Sequence, residues 1–285
     1  MTFAFFIQVL VNGLMLGVTY AVIASGFSLI YGIMRLLNFA HGDFYMLGAF
    51  ATFLLCEKLG LDYFSSFLLS MILVALLGVI VYYIFFRPFR DEHDPSLVIA
   101  LGVAMLIGGL APLVFGTDDQ SVAPVFSGVI RFLGATLSLE RIFVIILAIG
   151  LMIALTLFIK FSKTGQAMRA VAQDQEAAAL QGIGVNATFV TCMGISSALA
   201  GAAGSLLAPL FVVNPYIGTH AVLKALVVVV IGGLGSIPGA VAGGLLLGFV
   251  ESIGNTFLGG ITEILGFVIV MIVLIVKPQG LFGHA

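Results

Sequence analysis

Charge is scarce in this sequence. Asp, Glu, Lys and Arg together make up 8% of its 285 residues and nearly cancel, leaving a formal net charge of −2. With no basic patch to neutralise phosphates, a nucleic-acid-binding role is excluded. No G-x4-G-K-[S/T] occurs, so any ATPase that works with this chain is another polypeptide. The four histidines, His41, His93, His220 and His284, are scattered at loops or segment ends. No nucleophile, base and orienting group stand at a workable spacing, which excludes an enzyme. Cysteine is limited to Cys56 and Cys192, both in apolar segments and without metal-ligand spacing, so they read as small buried hydrophobes. The opening MTFAFFIQVLVNGLML lacks the positive region of a cleavable signal peptide, and its apolar run extends to about Ile30. It is read as a retained first helix.

What fills the sequence instead is apolar surface: 61% hydrophobic residues and a mean hydropathy of +1.25. Repeated apolar runs near bilayer-crossing length predict an all-α polytopic membrane protein with no separate soluble domain. The runs fall at 3–30, 41–56, 65–86, 96–115, 141–160, 188–213, a broken pair 221–232 and 238–257, and 261–276. Placing Arg35, Arg87, Arg90, Lys160, Lys163, Arg169 and Lys277 inside, with Lys58, Arg131 and Arg141 outside, satisfies the positive-inside rule. Lys224 then falls near an outer helix end. This predicts an outer N-terminus, an inner C-terminus and seven crossings, with the broken pair entering and returning on the outer side. An even count with both ends inside is the alternative. The expected fold is a bundle of about 7–8 transmembrane helices, with a broken or re-entrant segment near 221–257 and a cytoplasmic coupling helix. All of 1–285 is expected to be one permease domain with a coupling loop at 161–187.

Three stretches interrupt the apolar background. The longest strongly polar one is Lys160–Ala187, in which Gln166 to Leu180 is rich in Ala, Gln and Glu and favours helix. Two spans can be joined by far fewer residues, so the excess reads as a docking surface, with an Ala-rich connector as the alternative. Arg169, Asp174 and Glu176 are placed on one short helix whose Met168, Val171, Ala172 and Leu180 face one side, an amphipathic piece able to enter a cleft. The second stretch is the turn holding Asn38, His41 and Asp43, read either as wall or gate of a path or as helix caps at the cytoplasmic interface. The third runs from Lys224 to Gly239, where Gly232, Gly233, Gly235 and Pro238 break an apolar run. It reads as bordering a transport route or as a structural hairpin. Small residues at Gly194, Ala198, Gly201, Ser205 and Ala208, and at Gly239–Gly243 and Gly244–Gly248, predict tight helix packing. Segment 116–140 presents short strands, a surface helix or a plain outer loop.

Glu176-Ala177-Ala178 followed after three residues by Gly182 resembles the EAA signature of bacterial ABC-importer permeases, although the usual Ile-x-Leu-Pro does not follow. Lys224-Ala225, then Gly232-Gly233, Gly235 and Gly239, resembles the K-A-x6-G-G-x-G-x-x-x-G segment of permeases of the branched-chain amino acid ABC transporter family. Gly26-Phe27-Ser28-Leu29-Ile30-Tyr31-Gly32, Asn38-Phe39-Ala40-His41-Gly42 and Gly48-Ala49 look like that family's first-turn signature. Lys277-Pro278-Gln279-Gly280-Leu281-Phe282-Gly283 is similar to its closing segment. Together these resemble the LivH type. The resemblance implies a multi-pass subunit of the bacterial inner membrane that carries Leu, Ile or Val. It further implies a second permease subunit, LivM-like or another copy of the chain, two cytoplasmic ATPase subunits holding ATP and Mg, and a periplasmic binding protein. Arg169, Asp174, Glu176, Ala177, Ala178 and Gly182 would couple to the ATPase. Asn38, His41, Asp43, Lys224, Gly232, Gly233 and Gly235 would line or gate the path. No cofactor or metal is expected on the chain itself. Urea or short amides remain the alternative solutes, and an ion-coupled carrier or channel the alternative class. Against a carrier, Lys224, Glu251 and Glu263 are expected near outer helix ends, where charge costs little.

Overall fold

The computed structural model describes residues 3–89, 93–132, 135–257, 259 and 262–283. Helix α1, Phe3–Met34, is 32 residues long, about 48 Å at the helical rise. At its end Arg35 adopts a left-handed φ of 56°, and residues 35–40 run back along α1 without regular structure. His41 opens α2 (His41–Phe53), and its Nε2 lies 2.9 Å from the carbonyl of Ile23. Helix α2 therefore starts about 16 Å inside the end of α1. Such irregular backbone survives at depth only where protein surrounds it, and Leu36, Asn38 and Ala40 are all buried.

The chain continues through a wider helical turn at Leu54–Lys58 to α3 (Tyr63–Val81), whose N-cap Asp62 accepts from the Ser65 N–H. Next come α4 (His93–Phe115) and an antiparallel hairpin of β1 (Val129–Phe132) and β2 (Ala135–Ser138), with Val129 opposite Ser138. Of the alternatives open for 116–140, the short strands are what forms. Helix α5 (Leu139–Phe161) leads into α6 (Lys163–Gln173) and α7 (Gln175–Leu180). The bundle closes with α8 (Val185–Leu207), α9 (Ile217–Gly232), α10 (Ile237–Phe257) and α11 (Thr262–Val276).

Small residues set how closely these helices meet. On α10, Gly244 and Gly248 face Ala21 and Gly17 of α1, while Gly239 and Gly243 face Gly232 and Val228 of α9. The two predicted pairs thus serve two different partners. On α8, Gly201 lies against Gly48 of α2 and Val74 of α3, and the Ser205 hydroxyl donates to the carbonyls of Gly201 and Gly48. Gly204, outside the stripe read from sequence, meets the Tyr45 backbone.

Six helices, α1, α3, α4, α5, α8 and α10, are long and apolar enough to cross a membrane; α9 and α11 are shorter. The broken pair starts and ends on the β-hairpin side, as expected, but its turn reaches the opposite face. Val213, just before α9, pairs with Gln120, and Asn214 donates to Asp119, so α9 begins on the side of the β-hairpin. Its other end returns at Gly235, which touches Gly32 at the end of α1 and shares a small cavity with Arg169 and Ala172 of α6. The turn therefore lies on the face of the polar loop. The 16 residues of α9 were too few to read as a pass because the irregular stretch 208–216 supplies the missing reach. Arg90 and His284 lie outside the described residues.

Three single cysteines test this topology, in a background without Cys56 and Cys192. Leu234→Cys and Gln173→Cys are expected to react with an impermeant maleimide from one side, and Asp119→Cys from the other. Reaction of Leu234→Cys from the side of Asp119 would reverse the hairpin.

Candidate functional site

The first-turn residues sit deep rather than at an interface. Asn38, His41 and Asp43 are 1%, 0% and 8% exposed, which corrects their reading as cytoplasmic caps. The Asn38 Oδ1 accepts from the Ala40 N–H at 3.2 Å, bracing the turn before α2. The edge of the His41 ring meets Phe27, with centroids 5.7 Å apart. Asp43 lies in the first turn of α2, where the helix dipole favours an acid. It faces Gly218 in the first turn of α9, and Gly42 touches the same glycine. The starts of α2 and α9 are thus pressed together inside the bundle.

Above this junction, toward the β-hairpin side, lies a cavity of about 520 Å³. Its walls come from α1 (Leu16, Thr19, Tyr20, Ile23), α2 (Tyr45, Ala49), the end of α8, the 211–213 segment and the first turns of α9. The walls are mostly aliphatic, and polar groups enter at few points. Lys224 of α9 forms an ion pair with Glu251 Oε1 of α10, and the Tyr20 hydroxyl donates to Glu251 Oε2 at 2.5 Å. His220 and Asn255 stand one turn further along their helices. The expectation that Lys224 and Glu251 lie near outer helix ends is corrected, because each sits well inside its helix and the two neutralise one another. Glu251 was absent from the residues proposed for the path. A lone acid and a lone base in neighbouring apolar helices were the available signal, since burial in lipid favours pairing. The Glu263 side chain lies outside the described residues.

The glycine turn is remote from this cavity. Gly233 and Gly235 have φ of 103° and 80°, conformations that side chains resist. Against them docks the C-terminal tail, whose Leu281 and Phe282 N–H groups each donate at 2.8 Å to the carbonyls of Ile231 and Gly232. These carbonyls end α9 and would otherwise lack partners. Gly232, Gly233 and Gly235 thus join the end of α9 to the C-terminal tail at the loop face, and of the residues expected to line or gate the path Lys224 alone borders the cavity.

The polar loop is two helices, not one. Asp174 breaks the run with extended backbone, and its Oδ1 accepts from the Ala177 N–H at 2.9 Å to cap α7. Met168 and Val171 are each 1% exposed and pack into this chain's own core, and Ala178 is buried as well. They form no free apolar face for a partner. Outward lie Arg169, Asp174, Glu176, Ala177, Gly182 and Leu180, the last 87% exposed. Gly182 has a φ of 80° and ends α7.

A helical bundle that brings two short, inward-starting helices beside a cavity with one paired charge of each sign is the architecture of a membrane transport protein. Residues 9–277 match the family described as the permease component of the branched-chain amino acid transport system, and the chain belongs to that family. It is 34% identical to the high-affinity branched-chain amino acid transport permease LivH of Escherichia coli K12, over 99% of this chain and 97% of that protein. To BraD of Pseudomonas aeruginosa it is also 34% identical, over 98% and 96%. Similarity to LivM of Escherichia coli K12 is 25%, over 92% of this chain and 67% of the other.

Two substitution sets follow. Gly233→Leu puts a side chain in a glycine-only conformation, at a cost of about 1–3 kcal/mol, and against the tail. A lowered melting temperature in detergent and faster proteolysis of the C-terminus are expected; an unchanged melting curve would count against the docked tail. At the loop, Ala178→Arg is expected to reduce membrane abundance because it forces charge into the core. Ala177→Arg, on the exposed side, should leave abundance unchanged, and equal losses in both would refute the inner and outer assignment.

Proposed function

We propose that this chain is the membrane subunit of an ATP-driven importer and forms one side of the path for branched-chain amino acids. The observation that carries the reading is the largely apolar cavity, holding one charge of each sign. The solute fits such a wall by its branched side chain, and the names of LivH and BraD point to the same class. All of 1–285 serves as one permease domain of the bacterial inner membrane. A periplasmic binding protein delivers the solute on the side of Asp119. A second permease, related to this chain as LivM is or a further copy, completes the path.

The energy comes from outside the chain. Two cytoplasmic ATPase subunits bind ATP and Mg, and the exposed residues of α6 and α7, Arg169, Asp174, Glu176, Ala177 and Gly182, with Leu180 as apolar anchor, meet them. Rim charges each contribute about 0–1 kcal/mol, so the anchor and the placement of α7 carry the contact. From this, Glu176→Ala is mild and Ala177→Arg uncouples hydrolysis from uptake.

An ion-coupled carrier is the second reading, and the buried position of Lys224 and Glu251 favours it more than the sequence did. Proteoliposomes holding the full complex decide between them. Leucine uptake is expected to require ATP and to persist when proton and sodium gradients are collapsed. Uptake by this chain alone, driven by an ion gradient, would replace the importer with a carrier; uptake of urea without leucine would replace the solute.

A further inference from the structure

The packing of α9 on α10 does not need the ion pair between them. Gly232 against Gly239 and Gly243 against Val228 already bring the two backbones into contact. A buried ion pair is a poor stabiliser, because the loss of hydration offsets most of the attraction, and well-packed apolar residues of similar volume do as well or better. An ionised pair inside a membrane bundle therefore asks for another explanation.

Its setting supplies one. Both partners border the 520 Å³ cavity, and Lys224, whose side chain is 21% exposed, is reachable from it. The two Glu251 oxygens are held differently. Oε2 accepts from the Tyr20 hydroxyl, while Oε1 takes the Lys224 ammonium. Opening the pair would leave Glu251 anchored by Tyr20 with one oxygen offered, and Lys224 with its donors offered, side by side on a largely apolar wall that also carries His220 and Asn255.

We infer that the Lys224–Glu251 pair is a recognition site for the zwitterion of an aliphatic α-amino acid. The Lys224 ammonium takes the α-carboxylate, Glu251 Oε1 takes the α-ammonium, and the aliphatic side chain lies along Leu16, Ile23 and Ala221. One internal ion pair is exchanged for two with the ligand, so every charge keeps a partner while it is out of water. The sum of charges stays zero throughout, and no proton or metal ion has to travel with the solute. A solute without ionised groups, such as urea or a short amide, makes neither contact. This inference rests on the importer reading and names the chemistry by which that cavity selects its solute.

The experiment uses the complete complex in proteoliposomes, with radiolabelled leucine as the probe. The double variant Lys224→Met with Glu251→Leu removes both charges and keeps volume; Lys224→Gln with Glu251→Gln keeps hydrogen-bonding groups as well. Both are expected to assemble with the other subunits at parental abundance, yet to take up leucine roughly a hundredfold to ten-thousandfold more slowly, the loss of two charge-assisted hydrogen bonds. A structural pair predicts the reverse, so either neutral variant transporting leucine within about twofold of the parent would overturn the inference. Failure of both variants to accumulate would also overturn it, by making the pair part of the fold. The parent complex separates the two levels. If it takes up urea and not leucine, the importer's solute is wrong; if it takes up leucine and so does a neutral variant, the recognition site alone is wrong.

Discussion

Backbone meets backbone throughout this bundle, and the rest of the structure depends on it. In lipid, an apolar helix face gains little by leaving the acyl chains, so helices are held by close packing where small residues allow approach. Glycine supplies that approach where α10 crosses α1 and α9, and where α2 lies against α8. The consequence extends beyond stability. Because Gly42 and Gly218 let α2 and α9 touch near their starts, two short helices can begin inside the bundle, and Leu36, Asn38 and Ala40 of the irregular stretch are buried in protein.

Close packing also determines where polar groups can be. At the junction of α1, α2 and α8 they are buried: the His41 Nε2–H donates to the Ile23 carbonyl, and Asn38 braces its own turn. In the cavity they are few, and Tyr20, Lys224 and Glu251, contributed by three different helices, are joined to one another. Nothing in this arrangement supplies energy. The elements that bear the cavity charges, α9 and α10, are joined by the glycine turn at the opposite face, and there the turn meets α1, α6 and the C-terminal tail. Helices α6 and α7 pack on α1 and α8, and Arg169 and Ala172 of α6 border the same small cavity as Gly235 and Ile237 of the turn.

The errors of the sequence reading share one cause. Gln166–Leu180 has the composition of a single amphipathic helix, but the side chain of Asp174 closes on the Ala177 N–H and starts a new one. Its apolar residues are then divided, Met168 and Val171 going to this chain's core and Leu180 to the surface. Composition cannot tell which apolar face is spent inside a chain and which is left for a partner. In the same way, α9 looked like half a re-entrant loop because its length was judged alone, without the non-helical stretch that brings the chain to it.

What the sequence determined by itself was whatever depends on local chemistry and simple sums. Apolar runs of bilayer length and glycines that break helices are properties of short segments and sufficed for the helical membrane fold, while the motifs around Asn38, Lys224–Gly239 and Lys277–Gly283 carried the resemblance to the family. The small-residue stripes were legible for the same reason, since periodicity on one helix announces a seam. Tertiary structure alone decided which seams meet, that the Gly232–Gly235 turn faces the polar loop, and that Lys224 finds Glu251. These are facts of proximity between residues far apart in the chain. A charge in an apolar helix reads alike whether it faces lipid, water or its opposite until the neighbouring helix is in place.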